Sequence, residues 1–193
     1  MNIGIIGAGF VGLTFAAVLG SNKYNTILVD SDFKKIKKIE SGIIPFYEPK
    51  LGILLQKSLK KSLKISMDID HVVNKCEIIF VTVGTPTRLN GEIDLKNIEL
   101  VIKEISSSLS KSKNIPIIVI KSTIIPKTSE KIKKILEKNS KKKEGKGFGL
   151  VINPEFLSEG KAVDDTLNPH IIVIGSNEKK SINKIKKFYD KLY

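Results

Sequence analysis

The stretch Asn2-Ile3-Gly4-Ile5-Ile6-Gly7-Ala8-Gly9-Phe10-Val11-Gly12-Leu13 decides the fold. A short apolar run that reads as a strand over 2–6 passes directly into glycines in G-x-G-x-x-G order, and a helical pattern begins at 11. The first glycine permits a tight turn, the second lets the backbone approach a pyrophosphate, and the third lets the helix pack close to the strand. Unpaired N–H groups at the start of that helix, at the positive end of its dipole, suit the phosphates. Such a motif alone is weak evidence. Here it is flanked by a strand and a helix, and Asp30 lies eighteen residues past Gly12 at the end of a second predicted strand, over 26–30. That is where a carboxylate meets the adenosine ribose of a dinucleotide.

Asp30 also selects NAD over NADP. A 2′-phosphate held ~5 Å from a carboxylate costs ~3 kcal/mol at an effective dielectric of about 20, although Lys34 and Lys35 are near enough in sequence to blunt this.

Outward from this unit, apolar runs alternate with amphipathic, lysine-studded stretches. Further strands are expected over 64–66, 77–83, 115–121, 149–152 and 170–174, and helices over 11–19, 32–41, 49–60, 69–74, 95–111, 127–138 and 179–189. Runs such as Ile78-Ile79-Phe80-Val81 and Ile117-Ile118-Val119-Ile120 do not alternate with polar residues, as befits strands covered on both faces. The expected fold is α/β: a doubly wound, mostly parallel Rossmann-type sheet with helices on both faces. The dinucleotide-binding domain is expected over 1–175, with a final helix in 176–193 leading toward a central region not contained in these residues. The stretch 138–147, rich in lysine and glycine, reads as an exposed loop.

Composition excludes other classes. The 193 residues are 41% hydrophobic and 27% charged, an ordinary globular balance that is neither disordered nor collagenous. No apolar run reaches the roughly 20 residues of a membrane span, and the N-terminus has no basic segment before its apolar run, so no signal peptide is expected. The single cysteine, Cys76, cannot form an intramolecular disulfide, which points to a cytoplasmic location. The formal charge is +13, yet Arg88 is the only arginine among the 33 basic residues. Specific nucleic-acid readers lean on arginine for bidentate contacts, so the lysines read as solvated helix faces and no nucleic-acid partner is expected. His71 and His170 are not spaced with other ligands, and no metal site is expected.

Three more segments fall at predicted strand ends, the usual ligand edge of such a sheet. They are Val83-Gly84-Thr85-Pro86-Thr87, Lys121-Ser122-Thr123-Ile124-Ile125-Pro126, and Asn153-Pro154-Glu155-Phe156-Leu157-Ser158-Glu159-Gly160. Each also has a plain structural reading: a turn, a helix N-cap, a surface charge at Glu159. Glu155 and Glu159 together suit proton handling or hydroxyl binding. The residues by themselves lead to an NAD-binding domain with a cleft lined by hydroxyls and carboxylates.

The ordered set of these segments, with Gly-Ala-Gly-Phe-Val-Gly-Leu and Tyr47-Glu48-Pro49-Lys50-Leu51, resembles the N-terminal domain of the UDP-glucose/GDP-mannose dehydrogenase family. The resemblance runs from Met1 to about Ile174, and Asn-Pro-Glu-Phe-Leu is its most specific part. It implies NAD-dependent, four-electron oxidation of a sugar C6 hydroxyl to a carboxylate in two hydride transfers. Tyr47-Glu48-Pro49 and the Ser-Glu-Gly ending lean toward UDP-glucose, giving UDP-glucuronate, with GDP-mannose as the alternative. Full-length members are implied to be homodimers or larger.

Carried over by position, Gly7, Gly9, Phe10, Val11, Gly12, Asp30, Lys35 and Thr85 are implied cofactor contacts, with Thr87 and Thr123 on the nicotinamide side. Glu159 resembles a residue that touches both cofactor and substrate, and Glu155, Phe156, Leu157, Ser158 and Glu159 resemble the segment along the substrate. Glu155 and Thr123 resemble the catalytic pair that holds a water, with Glu155 assisting proton transfer. Lys50 and Lys127 stand where the family often has glycine. The family's nucleophilic cysteine lies in a Gly-x-x-Cys-x-Pro-Lys-Asp motif beyond this length, and Cys76, at a strand start, sits at the opposite edge. The chain alone is therefore expected to bind NAD and to oxidise nothing to completion. A stand-alone NAD-binding module and another Rossmann oxidoreductase of hydroxyacid or 6-phosphogluconate type are the competing readings; the Asn-Pro-Glu-Phe-Leu and Lys-Ser-Thr segments speak against the latter.

Overall fold

A computed structural model describes residues 1–193. Six strands form one sheet in the order β3-β2-β1-β4-β5-β6. They are β1 Asn2–Ile6, β2 Asn25–Val29, β3 Leu63–Ser66, β4 Ile78–Val81, β5 Ile117–Ile120 and β6 Gly149–Ile152. Every pairing is parallel. The eight helices are α1 Phe10–Ser21, α2 Phe33–Glu40, α3 Leu51–Leu59, α4 Ile69–Lys75, α5 Lys96–Lys111, α6 Thr128–Ser140, α7 Ala162–Leu167 and α8 Lys179–Leu192.

Successive strand residues point to opposite faces, and both faces are apolar. Ile78, Phe80, Ile117 and Val119 join one core with residues of α1, α3 and α8. Their neighbours Ile79, Val81, Ile118 and Ile120 join a second core with α4, α5 and α6. This explains the unbroken apolar runs. Chain order reverses its direction of growth at β1, where β2 lies on one side and β4 on the other. A crevice therefore opens beyond the carboxyl ends of these strands. No helix is long and apolar enough to cross a membrane.

Two expectations are corrected. Residues 170–174 are not a seventh strand. The segment runs beside β6 but pairs with it only at Gly175, which exchanges two backbone bonds with Ile152 in antiparallel sense (2.7 and 2.8 Å). Pro169 has no N–H to contribute, and side chains replace the ladder: Asn153 Nδ2 donates to the Val173 carbonyl (2.8 Å) and Ser176 Oγ to that of Leu150 (2.6 Å). The short helix α7 had no expected counterpart. Its six residues are too few for a periodic signal, and it is held from a distance by Glu48, as described below. The third helix starts at Leu51 rather than at 49, because Lys50 adopts the left-handed conformation (φ 66°) and fixes the entry.

Candidate functional site

The glycine turn has the division of labour its spacing implies. Gly7 has φ +109°, a region that side chains avoid, and its N–H donates to the Val29 carbonyl (2.8 Å). A Cβ on Gly12 would lie 1.9 Å from the Gly7 carbonyl oxygen and 2.4 Å from Thr82 Oγ1, so only glycine lets α1 approach β1 and β4 this closely. At Gly9 a Cβ would meet nothing within 4 Å. That glycine faces open space, as a backbone left clear for a ligand should. It is also the N-cap of α1, and no side chain caps the helix. The first-turn N–H groups, with Phe10 and Val11 half-buried beside them, form an anion-binding end.

Asp30 follows β2 and braces this turn. Its Oδ2 accepts from the Ala8 N–H (2.8 Å) and from Lys35 Nζ (2.9 Å), and its Oδ1 accepts from the Asp32 N–H (2.9 Å). Burial pushes the carboxyl's pKa up, but the two N–H donors and the Lys35 ammonium outweigh it and hold it below the ordinary value. The carboxylate stays ionised, and Lys35 is fixed beside it. Gly7, Gly9, Asp30 and Lys35 line one cleft of about 510 Å³, together with the apolar side chains of Met67, Ile69, Leu100 and Val101. Met67 and Leu100 are each 47% exposed. Apolar walls next to a carboxylate and a helix N-terminus fit the adenine, ribose and pyrophosphate of a dinucleotide.

Sequence reasoning missed these walls. Exposed apolar residues beside predicted strand ends were the available signal. It also missed Thr82, whose buried Oγ1 donates to the Gly7 carbonyl (2.8 Å) and pins the turn to β4.

The threonines occupy the same carboxyl edge. Thr85 is half-buried and Thr87 exposed in the loop after β4, where Thr87 bridges to Ile93. The Gly84 carbonyl there accepts from Asn97 Nδ2 (3.0 Å). Thr123 is exposed just after β5, next to Ser122, whose Oγ donates to the Val83 carbonyl (2.7 Å).

The segment after β6 lines a second, smaller cavity of about 40 Å³ bounded by Phe15, Glu155, Phe156, Leu157 and α8. Glu155 is half-buried, and its Oε2 accepts from the Leu157 N–H (2.6 Å). The exposed Ser158 donates its N–H to Asp165 Oδ2 (2.9 Å), and Glu159 is exposed. The structure thus groups Glu155, Phe156 and Leu157 around one cavity, whose lining does not include the exposed Ser158 and Glu159. Sequence reasoning overlooked Lys121 in this cavity. Its Nζ lies 5.4 Å from the Phe15 ring centroid, and its pKa is lowered to about 8, chiefly by burial, with the charge of Glu155 acting in the opposite direction.

Glu48 has a role that its sequence context did not disclose. Only 3% exposed, it accepts from the N–H groups of Gly160 (2.9 Å) and Val163 (3.4 Å). Its carboxylate therefore holds the loop after Glu159 and the start of α7. Lys50 adds an ion pair to Asp164 (2.6 Å). Cys76 is fully buried before β4, at the amino edge, and burial pushes its thiol up to about 12, so it is not a poised nucleophile.

Known proteins are similar to this chain in sequence and fold. The model of the UDP-glucose/GDP-mannose dehydrogenase family, NAD binding domain, matches residues 1–193. The UDP-glucose 6-dehydrogenase of Rickettsia felis is 39% identical over 190 residues, covering 98% of this chain and 41% of that protein. The GDP-mannose 6-dehydrogenase of Azotobacter vinelandii is 36% identical over 194 residues, covering 100% and 44% respectively. Among solved structures, a ternary complex of GDP-mannose dehydrogenase from Pseudomonas aeruginosa superposes with a TM-score of 0.96 at 34% identity, over 99% of this chain and 44% of that one. The chain thus spans less than half the length of these relatives. It belongs to the UDP-glucose/GDP-mannose dehydrogenase family, as the NAD-binding domain.

Proposed function

We propose that the chain is the cofactor-binding part of an NAD-dependent nucleotide-sugar 6-dehydrogenase that converts UDP-glucose to UDP-glucuronate. The observation that carries this reading is a juxtaposition. One sheet edge holds both the glycine turn with Asp30 and the cavity lined by Glu155. NAD, when bound, supplies the hydride acceptor.

The first-turn N–H groups of α1 receive the pyrophosphate, Asp30 accepts from the ribose hydroxyls, and Lys35 adds a cation nearby. Thr85 is assigned to the cofactor, Thr87 and Thr123 to its nicotinamide side, and Glu159 to both ligands. Phe156, Leu157 and Ser158 run along the sugar. A hydride leaves C6 only as the C6 hydroxyl loses its proton, so a base is required. Glu155 fills that role through a water that it shares with Thr123. The rest of the catalytic apparatus is assigned to the part of the relatives that this chain does not span. The buried single thiol fits a cytoplasmic setting. GDP-mannose is the second reading, favoured by the TM-score of 0.96 to the Pseudomonas aeruginosa enzyme.

The test has two stages. Calorimetric titration of the chain should show NAD binding, and Glu155→Gln should leave that affinity within about twofold, because its role is on the substrate side. Combined with the remaining portion of the Rickettsia felis relative, the chain should then form NADH with UDP-glucose and less with GDP-mannose. Glu155→Gln should abolish that turnover. Absence of NAD binding, or full turnover by the Gln variant, overturns the reading.

A further inference from the structure

The segment Tyr47-Glu48-Pro49-Lys50-Leu51 has no part in the chemistry proposed above, yet it carries a carboxylate into the interior. Glu48 is buried and no cation pairs with it. A buried charge without a counter-ion is costly unless hydrogen bonds replace its water. Two backbone donors do so here, 112 and 115 residues along the chain: the Gly160 N–H on Oε2 (2.9 Å) and the Val163 N–H on Oε1 (3.4 Å). A neutral glutamine would be cheaper to bury, but it offers a single acceptor oxygen. Two N–H groups on two oxygens call for a carboxylate.

The loop that donates these bonds displays Glu159. On one side of it the Ser158 N–H donates to Asp165 Oδ2 (2.9 Å), and on the other the Gly160 N–H donates to Glu48. The Lys161 N–H closes the turn on the Ser158 carbonyl (3.0 Å). Gly160 has φ +80°, and a Cβ there would meet nothing within 4 Å, so the backbone conformation and not the space asks for glycine. The backbone is thus pinned by a carboxylate on each side of Glu159, whereas the Glu159 carboxylate itself is exposed and engaged by no group of the fold. A free side chain on a pinned backbone is how a group is kept in place for a ligand.

Glu48 also fixes where this loop stands relative to the glycine turn. Two residues before it, Phe46 packs on Phe10, the first residue of α1, with 5.4 Å between ring centroids. Two residues after it, Lys50 pairs with Asp164 of α7, and α7 packs against α1. The stretch 46–50 therefore touches the cofactor end of α1 on one side and the loop after Glu159 on the other.

We propose that Glu48 is a positioning residue for Glu159: its two oxygens clamp the Gly160 and Val163 N–H groups, so that the Glu159 carboxylate stands at a fixed place relative to the first turn of α1. This rests on the reading above that assigns Glu159 to the cofactor, where a carboxylate accepts from a hydroxyl or amide donor of NAD. The benefit is conformational. Without the clamp the exposed loop samples other arrangements, and the affinity for NAD falls with the fraction of molecules in which Glu159 is in place.

The experiment is a double-mutant cycle on the chain, read by calorimetric titration with NAD. Glu159→Ala should raise Kd by about fivefold, and Glu48→Gln, which turns an amide NH2 toward one of the two N–H groups, by about threefold. The double variant should bind no more weakly than Glu159→Ala alone, because the clamp acts on NAD only through that side chain. Ile105→Val, in the core on the other face of the sheet, lowers the urea midpoint without touching this loop and should leave Kd native.

Losses that multiply in the double variant would make Glu48 a general brace of the fold and overturn the proposal. Native NAD affinity in Glu48→Gln or in Glu159→Ala does the same, as does an equal loss in Ile105→Val. If Glu48→Gln does not fold, Glu48→Asp takes its place in the cycle with the same expectation, since it keeps two oxygens on a side chain one methylene shorter. The two readings fail separately. A wild-type chain that binds no NAD overturns the cofactor reading itself, whereas NAD binding that ignores Glu48 overturns only the clamp.

Discussion

The turn between β1 and α1 and the cavity beyond β5 and β6 lie on the same sheet edge but are held in different ways. The turn is mostly backbone. Gly7, Gly9 and Gly12 work by lacking side chains, and the groups that brace them, Asp30 and Thr82, donate to or accept from main-chain atoms. The cavity is built from side chains that meet across long stretches of sequence. Lys121 meets Asn153 and Asn153 meets Tyr189, and beside the cavity the Glu48 carboxylate holds the backbone at Gly160 and Val163. A backbone cradle tolerates almost no added volume but asks little of its neighbours' chemistry. A side-chain cavity has the reverse sensitivity: volume changes are absorbed more easily than the loss of one polar partner.

The largest effect should come from adding volume to the cradle. Gly12→Ala places a methyl 1.9 Å from the Gly7 carbonyl oxygen, and the nearest obstacle is backbone that cannot rotate away. We expect a loss of about 3 kcal/mol in urea denaturation, together with loss of NAD binding. A variant of native stability that still binds NAD would show the cradle to be less rigid than this comparison holds.

Removing a polar partner from the other region should cost somewhat less. Glu48→Ala leaves the Gly160 and Val163 N–H groups without their acceptor, at about 2 kcal/mol. Glu48→Gln keeps one oxygen and should recover about half of that. Hydrogen exchange should quicken at those two amides while the glycine turn is unaffected. If the stability of Glu48→Ala is native, the carboxylate serves a ligand instead of the fold.

The two regions were unequally legible in sequence for the same reason. The cradle's requirements fall between Gly7 and Asp30, so spacing alone reveals them. The unbroken apolar runs likewise disclosed a sheet buried on both faces. Glu48 and Lys121 carried no such mark: a lone carboxylate before a proline and a lysine after a strand look like surface charges until the fold buries the first and lines a cavity with the second. The stretch over 170–174 misled because its run of β-branched apolar residues suits a strand, whereas Asn153 and Ser176 satisfy its surroundings with side-chain bonds in place of a ladder.

Asp30 connects the cradle to its cofactor. Its carboxyl is held below its ordinary value in the folded chain, so its contribution to stability is complete above the unfolded value of about 3.9 and is lost as pH falls through the lower folded value. Asp30→Ala should flatten this acid limb of the denaturation curve. It should also weaken NAD and free Lys35 for a 2′-phosphate. Because Lys35 already offsets part of the repulsion at 2.9 Å, the NAD-to-NADP preference should narrow by about tenfold rather than by the full effect of an unpaired carboxylate. An unchanged ratio would remove Asp30 from the ribose site.

The smallest effects concern two lysines that sharpen the contrast between backbone and side-chain demands. Lys50 and Lys127 both begin helices in the left-handed conformation, with φ of 66° and 68°. An L-residue gives up ~1 kcal/mol or more there, and glycine recovers most of it against its own entropic cost of roughly 0.5–1 kcal/mol. Lys127→Gly should therefore raise the urea midpoint by a shift equivalent to about 0.5 kcal/mol with an unchanged slope. At Lys50 the same relief is set against an exposed ion pair to Asp164, and exposed pairs are worth about 0–1 kcal/mol. Lys50→Gly should accordingly leave the midpoint nearly unmoved at low salt and raise it slightly once salt has screened the pair. Equal gains from both substitutions at low salt would mean that the Lys50 side chain contributes nothing to the joint between Glu48 and α7, and that this joint rests on the Glu48 carboxylate alone.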